Sequence, residues 1–195
     1  MTDHRNIILE HVLRLVPFDG WSQYTLRTAA KGAGLSEADL KRTFPRGVED
    51  CVAYFFASAD AALKEALPES ELAGLRVPAR IEKIILTRLA NWLPVREAVR
   101  RVVSHNALPW NSAAALKTLY CTVDLMWRLA GDKSTDFSFY TKRITLAAVY
   151  SSTLLFWLDD MSGKQEETAA FLGRRLENVA DFGKFKKKIW PPKAA

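Results

Sequence analysis

Cysteine and histidine are scarce in this chain of 195 residues, which has two of the first and three of the second. Cys51 and Cys121 both fall inside helical patterns and read as buried thiols rather than as a disulfide or metal pair. His4 and His11 stand two helical turns apart, about 10 Å, too far to share one ion. His105 is a lone histidine at a helix end, a position that suits capping or packing. No glycine-rich phosphate loop, serine elbow, Cys-x-x-Cys pair or Glu and Glu-x-x-His set is present. Asp124, Asp132 and Asp136 have no basic partner fixed by spacing. Asp159 and Asp160 end a helix, where a carboxylate gains nothing from the dipole. Catalysis is therefore the weaker class of function, and the expectation is no catalytic residue, no metal and no cofactor.

A long hydrophobic run is also missing. Ile144 to Leu158 is the strongest one, but it falls short of the roughly 18 residues of a membrane span and is interrupted by Thr145, Ser151, Ser152 and Thr153. The opening MTDHRNIILEHVLRLV lacks the basic region, apolar core and cleavage site of a signal peptide. The expectation is a cytoplasmic protein, peripherally associated with the inner face of the cell membrane. A net charge of +6 favours anionic partners, either nucleic acid or an acidic membrane surface.

What is present is helical periodicity, with no segment alternating as a strand. Helices are expected over about residues 4–16, on both sides of Gly32 and Gly34, from Val48 to near Pro68, and from Ile81 to Trp92. Others follow from Val95 to Asn106, from Asn111 to near Gly131, from Asp136 through the apolar run, and from Gln165 to Ala180. Ser36 is placed to cap its helix with Asp39 three residues on, and Asn111 and Asp136 are placed to cap theirs. PESELAGLRVP reads as a connector. The fold class is all-α, about nine helices. The expected division is a helix-turn-helix-like headpiece over 1–67, a larger C-terminal ligand-binding bundle over 68–180, and a basic-aromatic tail over 181–195.

The headpiece has the element order of a repressor, yet the helix that would enter the major groove begins with Glu37 and Asp39. Carboxylates there meet phosphate repulsion, while Lys41, Arg42 and Arg46 come late. DNA is thus disfavoured as a partner, and a transcriptional repressor sensing a hydrophobic effector is the alternative.

Two further regions stand out. The helix from Phe137 to Leu158 is apolar over almost its whole circumference at its far end, so it must be surrounded. A tightly packed core and a bundle that parts for a long apolar ligand both satisfy that requirement. At its near end the helical wheel puts Phe137, Tyr140, Ile144 and Ala148 on one side. Phe139 falls on the other, with Lys142 and Arg143, as an aromatic anchor rimmed by charge. Phe139 is expected to face outward more than Tyr140. In the tail, Phe182, Phe185 and Trp190 alternate with Lys184, Lys186, Lys187 and Lys188, a composition suited to an anionic bilayer. Gly183 is expected to weaken any continuous helix there.

The stretches PFDGWSQYTLRTAAKGAGL, FPRGVEDCVAYF, LYCTVDLMWRLAGDKSTDFSFYTKRITLAAVYSSTLLFWLDD and ETAAFLGRRLENV together resemble the COQ9 ubiquinone-biosynthesis family. The run W-x-x-A-G-D-x-S-T-D-F, Trp127 to Phe137, is the most specific part. The resemblance implies a TetR-like fold without a regulatory DNA-binding role. It implies a non-catalytic accessory protein that binds an isoprenoid lipid or ubiquinone precursor and presents it to the demethoxyubiquinone hydroxylase or other ubiquinone-biosynthesis proteins. The assembly expected is a homodimer. The implied partner surface is Asp132, Ser134, Thr135, Phe139, Tyr140, Lys142 and Arg143, with Phe139 standing where eukaryotic members have tryptophan. The expected lipid-binding residues are Met126, Trp127, Val149, Tyr150, Thr153, Leu154 and Trp157, with Ser152 as a further polar contact. Eukaryotic members also have a mitochondrial targeting segment and a longer amphipathic C-terminal helix. Neither is recognisable here, and the basic tail is expected to substitute for the second.

Overall fold

Local sequence signals explain where most helices begin and end. In the computed structural model, residues 4–135, 137–162 and 165–189 are described, with the backbone alone at 137 and 180–189. The described residues form α1 (His4–Asp19), α2 (Gln23–Gly32), α3 (Glu37–Thr43), α4 (Val48–Ala66) and α5 (Glu69–Leu72). They continue with α6 (Val77–Trp92), α7 (Arg96–Asn106), α8 (Ser112–Leu129), α9 (Phe137–Asp159) and α10 (Glu166–Ile189). Short 3-10 turns occupy Leu93–Val95 and Pro109–Asn111.

Ser36 caps α3 as its spacing suggests. Its hydroxyl accepts from the Asp39 amide at 3.1 Å, and the Asp39 carboxylate accepts from the Ser36 amide at 3.1 Å. Gly34 and Gly131 hold positive φ angles of 72° and 87°, which end α2 and α8 in turns that a side chain would strain. Asn111, expected to cap α8, instead donates its side-chain amide to the His105 carbonyl at 2.8 Å and so closes the end of α7. Asp136, the expected cap of α9, lies outside the described residues.

Three expectations are corrected. The connector after Pro68 contains the short helix α5. The last helix does not stop at Ala180 but runs through Gly183 to Ile189. One glycine costs about 1 kcal/mol in a helix, which the good helix formers Lys186, Lys187 and Lys188 beyond it can offset. Cys121 is exposed whereas Cys51 is buried. Along α8 the apolar side chains divide: Leu116 and Tyr120 are exposed, while Val123 and Met126 are buried.

The chain divides into two compact units, residues 1–66 with 90–122, and residues 67–89 with 123–195. The sequence expectation drew its line between 67 and 68; residues 90–122 group with the first unit. The reason is visible in α7, which packs on α1. Trp21 donates its indole N–H to the Ala98 carbonyl at 3.1 Å, and Arg101 donates to the Pro17 carbonyl at 3.0 Å. Ile8, Val12 and Val16 supply the buried face of α1. Phe55 stacks on Trp92 at 5.8 Å between centroids.

The second unit has its own core. Ile81, Ile84, Ile85 and Leu89 of α6 are buried, as are Val123 and Met126 of α8, Leu146, Val149, Tyr150 and Trp157 of α9, and Leu172 of α10. Arg88 is also buried, and its Nε donates to the Tyr150 hydroxyl at 3.0 Å. No helix among the described residues is long and apolar enough to cross a membrane. Ile85 is fully buried, so Ile85→Ala should destabilise the protein by about 2–5 kcal/mol, read by chemical denaturation. A loss below about 0.5 kcal/mol, the range of an ordinary surface change, would contradict this account of the core.

Candidate functional site

A void of about 700 Å³ in the second unit lies between α9 and α10. Thr141, Thr145, Ala148 and Ser152 line it from α9, at positions i, i+4, i+7 and i+11, which fall on one face of a helix. All four are small. Large side chains on the core-facing side of the same helix, Leu146, Tyr150 and Trp157, are buried elsewhere. Lys142 and Val149 flank the small stripe, Trp127 closes it from α8, and Arg175, Asn178 and Val179 face it from α10. The void thus follows from the sequence of α9: where that helix meets α10 it has too little side-chain volume to fill the gap.

Two contacts hold the helices together beside the cavity. Phe156 stacks on Phe171 at 4.4 Å between centroids, with planes 8° apart. The Asp160 carboxylate accepts from the Ser162 amide at 2.8 Å and from the Thr168 amide at 3.0 Å. Burial raises the Asp160 carboxyl pKa, but the Ser162 and Thr168 hydrogen bonds outweigh it and bring the pKa down to about 2.

At the other end, the polar segment before α9 folds around a buried guanidinium. Arg143 is 4% exposed. Its Nε donates to Asp124 Oδ1 at 2.8 Å and its Nη1 to Asp132 Oδ2 at 3.2 Å. Nη1 also lies 3.2 Å from the Phe139 carbonyl, and the guanidinium sits 3.3 Å from the centre of the Phe139 ring. Lys142 Nζ reaches Asp132 Oδ1 at 2.6 Å. Trp127 donates its indole N–H to the Lys142 carbonyl at 3.0 Å, which fixes the ring against the cavity. Asp132 lies under opposing influences. Burial raises its carboxyl pKa, and hydrogen bonds from Lys142, Ser134 and Arg143 overcome that, holding it at about 2.

These contacts correct the view that Asp124 and Asp132 lack basic partners. Arg128, four residues along α8, pairs with Asp124 at 2.6 Å, and Arg143 reaches both carboxylates from α9. They also reverse the expected orientation of the aromatic pair. Tyr140 is 62% exposed, and Phe139 is half-buried with Arg143 against its ring. Nor is α9 enclosed by the described residues on every side, since Ile144 is 71% and Leu155 54% exposed. Of the expected partner residues, Thr135 and Tyr140 are exposed and Ser134 is half-buried. The side chains of Asp132 and Arg143 are spent within the protein.

Of the expected lipid-binding residues, only Trp127 and Val149 line the cavity, joined by Ser152. Met126, Tyr150, Thr153 and Trp157 are buried in the core, and Leu154 is half-buried. Thr153 spends its hydroxyl on the Val149 carbonyl at 2.8 Å. The sequence reading missed Thr141, Thr145, Ala148, Arg175, Asn178 and Val179. The small stripe of α9 was the available signal. Of the tail, the side chains of Phe182, Lys184, Phe185, Lys186, Lys187 and Lys188, and all of Trp190, lie outside the described residues. Among the described residues no group of three or more His, Cys, Asp or Glu could hold a metal ion.

The sequence profile of the COQ9 family matches residues 112–183. The ubiquinone biosynthesis protein coq9, mitochondrial, of Schizosaccharomyces pombe is 30% identical over 173 residues, covering 89% of this chain and 68% of that protein. This chain belongs to the COQ9 family. The human ubiquinone biosynthesis protein COQ9, mitochondrial, is 32% identical over 189 residues, which are 93% of this chain and 59% of the human one. The rat protein of the same name is 32% identical and 60% covered, so the chain spans about three fifths of these COQ9 relatives. In fold it is similar to the crystal structure of a TetR transcriptional regulator from Nitrosomonas europaea ATCC 19718. That match has a TM-score of 0.73 at 20% identity, covering 90% of this chain and 97% of the other. The all-α, TetR-like fold expected from sequence is the fold observed.

One expectation falls with these matches. A cytoplasmic protein at the inner face of the cell membrane was expected, but these COQ9 relatives are mitochondrial proteins. The expectation rested on missing signals, and a missing signal does not assign a compartment.

The Asp132 geometry generates a pH prediction. Its folded pKa of about 2 lies below the ordinary aspartate value of 3.8, so its stabilising contribution is complete above the unfolded value and is lost as pH falls toward 2. Acid unfolding followed by circular dichroism should show Asp132→Asn less stable than the parent at pH 7, with the difference shrinking as pH approaches 2. A difference that stays constant across that window would show that Asp132 does not act through its charge.

Proposed function

We propose that this chain is a non-catalytic lipid-handling protein of ubiquinone biosynthesis, which shelters the tail of an isoprenoid intermediate and presents its head to the demethoxyubiquinone hydroxylase. The cavity between α9 and α10 carries this reading. Its volume of about 700 Å³ falls in the range of small-molecule sites, and Trp127, Ala148, Val149 and Val179 give it apolar walls. Each CH₂ moved from water into such a site gains roughly 0.8 kcal/mol, so an isoprenoid tail is stabilised there. The names of the COQ9 relatives place them in ubiquinone biosynthesis.

Docking of the hydroxylase is assigned to the outer face of α9. Tyr140, Ile144 and Leu155 expose apolar surface there, and Thr135 and Ser134 lie just before it. Phe139 supports this face from beneath, its ring against Arg143. A repressor role is not proposed. Arg42 pairs with Asp39, Arg46 with Asp50 and Arg27 with Glu37, so these cations of the α2–α3 region already have carboxylate partners.

Two measurements test the reading. Ala148→Trp should fill the cavity, abolishing capture of isoprenoid lipid in native mass spectrometry while leaving the helical circular dichroism signal in place. Undiminished lipid in a folded Ala148→Trp protein would sink the cavity as the binding site. Tyr140→Glu should weaken co-purification with the hydroxylase by at least about tenfold, as expected of an interface anchor, without changing lipid content. Unchanged co-purification would remove this face of α9 from the docking surface.

A further inference from the structure

The charged side chains that line the cavity are of one sign. They are two cations, Lys142 and Arg175, with no carboxylate. Lys142 is already paired with Asp132 at 2.6 Å, a carboxylate it shares with Arg143. Arg175 is not: among the described residues no carboxylate forms an ion pair with it. The sequence of α10 explains why. The residues one turn away on either side are Phe171, Leu172, Asn178 and Val179, none of them acidic.

The guanidinium of Arg175 lies 4.8 Å from the centre of the Phe171 ring, and Phe171 is itself stacked on Phe156. That contact places the group without consuming its hydrogen-bond donors. Asn178, three residues on, shares its face and adds an amide. Both residues also line a neighbouring groove of about 450 Å³ together with Phe171, Arg174 and Glu177. They therefore stand at the rim, where the cavity meets the outer surface of α10, while Ala148 and Val149 line it from α9.

We propose that the cavity selects a single-chain amphiphile with an anionic head, a carboxylate or a phosphate, held by Arg175 and Asn178 with its tail against Ala148 and Val149. Arginine suits this task because its planar fork meets either oxyanion with two parallel hydrogen bonds. A neutral quinone of equal tail length is the weaker occupant, so an acidic lipid competes with it for the site. The inference rests on the cavity being a lipid site, and the test separates the two ideas.

Isothermal titration with three probes of one tail, farnesol, farnesoic acid and farnesyl monophosphate, measures the preference. Arg175 is exposed, so its attraction is screened, and the two anions should bind roughly fivefold tighter than the alcohol at low salt. The stronger of the two anions tells whether a carboxylate or a phosphate is the natural head. Arg175→Gln should bring the ratio of anion to alcohol affinity toward one, and Arg175→Lys should restore part of it. Equal binding of all three probes by the parent overturns the charge preference and leaves the cavity reading standing. A preference that survives Arg175→Gln in a folded protein overturns the assignment to Arg175. Failure of all three to bind sinks the cavity reading and this proposal together.

Discussion

The buried guanidinium of Arg143 is the constraint on which the second unit depends at the start of α9. Removing such a group from water costs several kcal/mol, and the cost is met only if carboxylates surround it in good geometry. Asp124 on α8 and Asp132 in the turn after it supply them, 2.8 Å and 3.2 Å away. Because one charge needs both, the turn must fold back across the start of α9. Ser134 then bonds Asp132, Lys142 joins the same carboxylate, and Trp127 bonds the Lys142 carbonyl. One wall of the cavity is thereby set by an ion pair that never touches the cavity itself. Buried ion pairs of this kind often add little net stability over an apolar substitute. What this one adds is a single arrangement of a segment otherwise made of turn-forming residues.

The opposite wall follows a different rule. Close packing is the default for protein interiors, and a void survives only where neighbours cannot collapse into it. The Phe156–Phe171 stack and the Asp160 hydrogen bonds tie α9 to the start of α10, and the Trp127 bond anchors α8 to α9. Between these fixed points α9 presents threonine, alanine and serine. The cavity is thus already present with α9 and α10 packed together, and the helices need not part to create it.

Local order was readable from the residues alone. The Ser36–Asp39 capping box and the glycine turns at Gly34 and Gly131 each depend on neighbours within one or two turns. The errors arose where an answer depends on another helix. The wheel correctly put Tyr140, Ile144 and Ala148 on one side of α9 and Phe139 and Arg143 on another. It could not say which side the rest of the unit covers, and here the charged side is the covered one. Arg143 reads as a surface cation until Asp124, nineteen positions earlier, is brought beside it. In the same way, Met126, Thr153 and Trp157 have the size and polarity of ligand contacts, yet they pack in the core. The residues that line the cavity were harder to see because small residues advertise nothing by themselves: their meaning depends on what stands opposite.

These facts also explain why α9 reads as apolar nearly all round. One face, with Leu146, Tyr150 and Trp157, is buried in the core. A second, with Thr141, Thr145 and Ser152, lines the cavity. A third, with Tyr140, Ile144 and Leu155, is open. Ordinary surface helices divide into a core side and a water side, and their hydrophobic pattern shows it. Here the exposed face itself carries large apolar side chains, so the sequence of α9 loses that signature. On the functions proposed here, Ala148 is the seam: it lines the cavity and is exposed beside Ile144. A partner that covered the open stripe would then also border the ligand, which places recognition and delivery on a single turn of one helix.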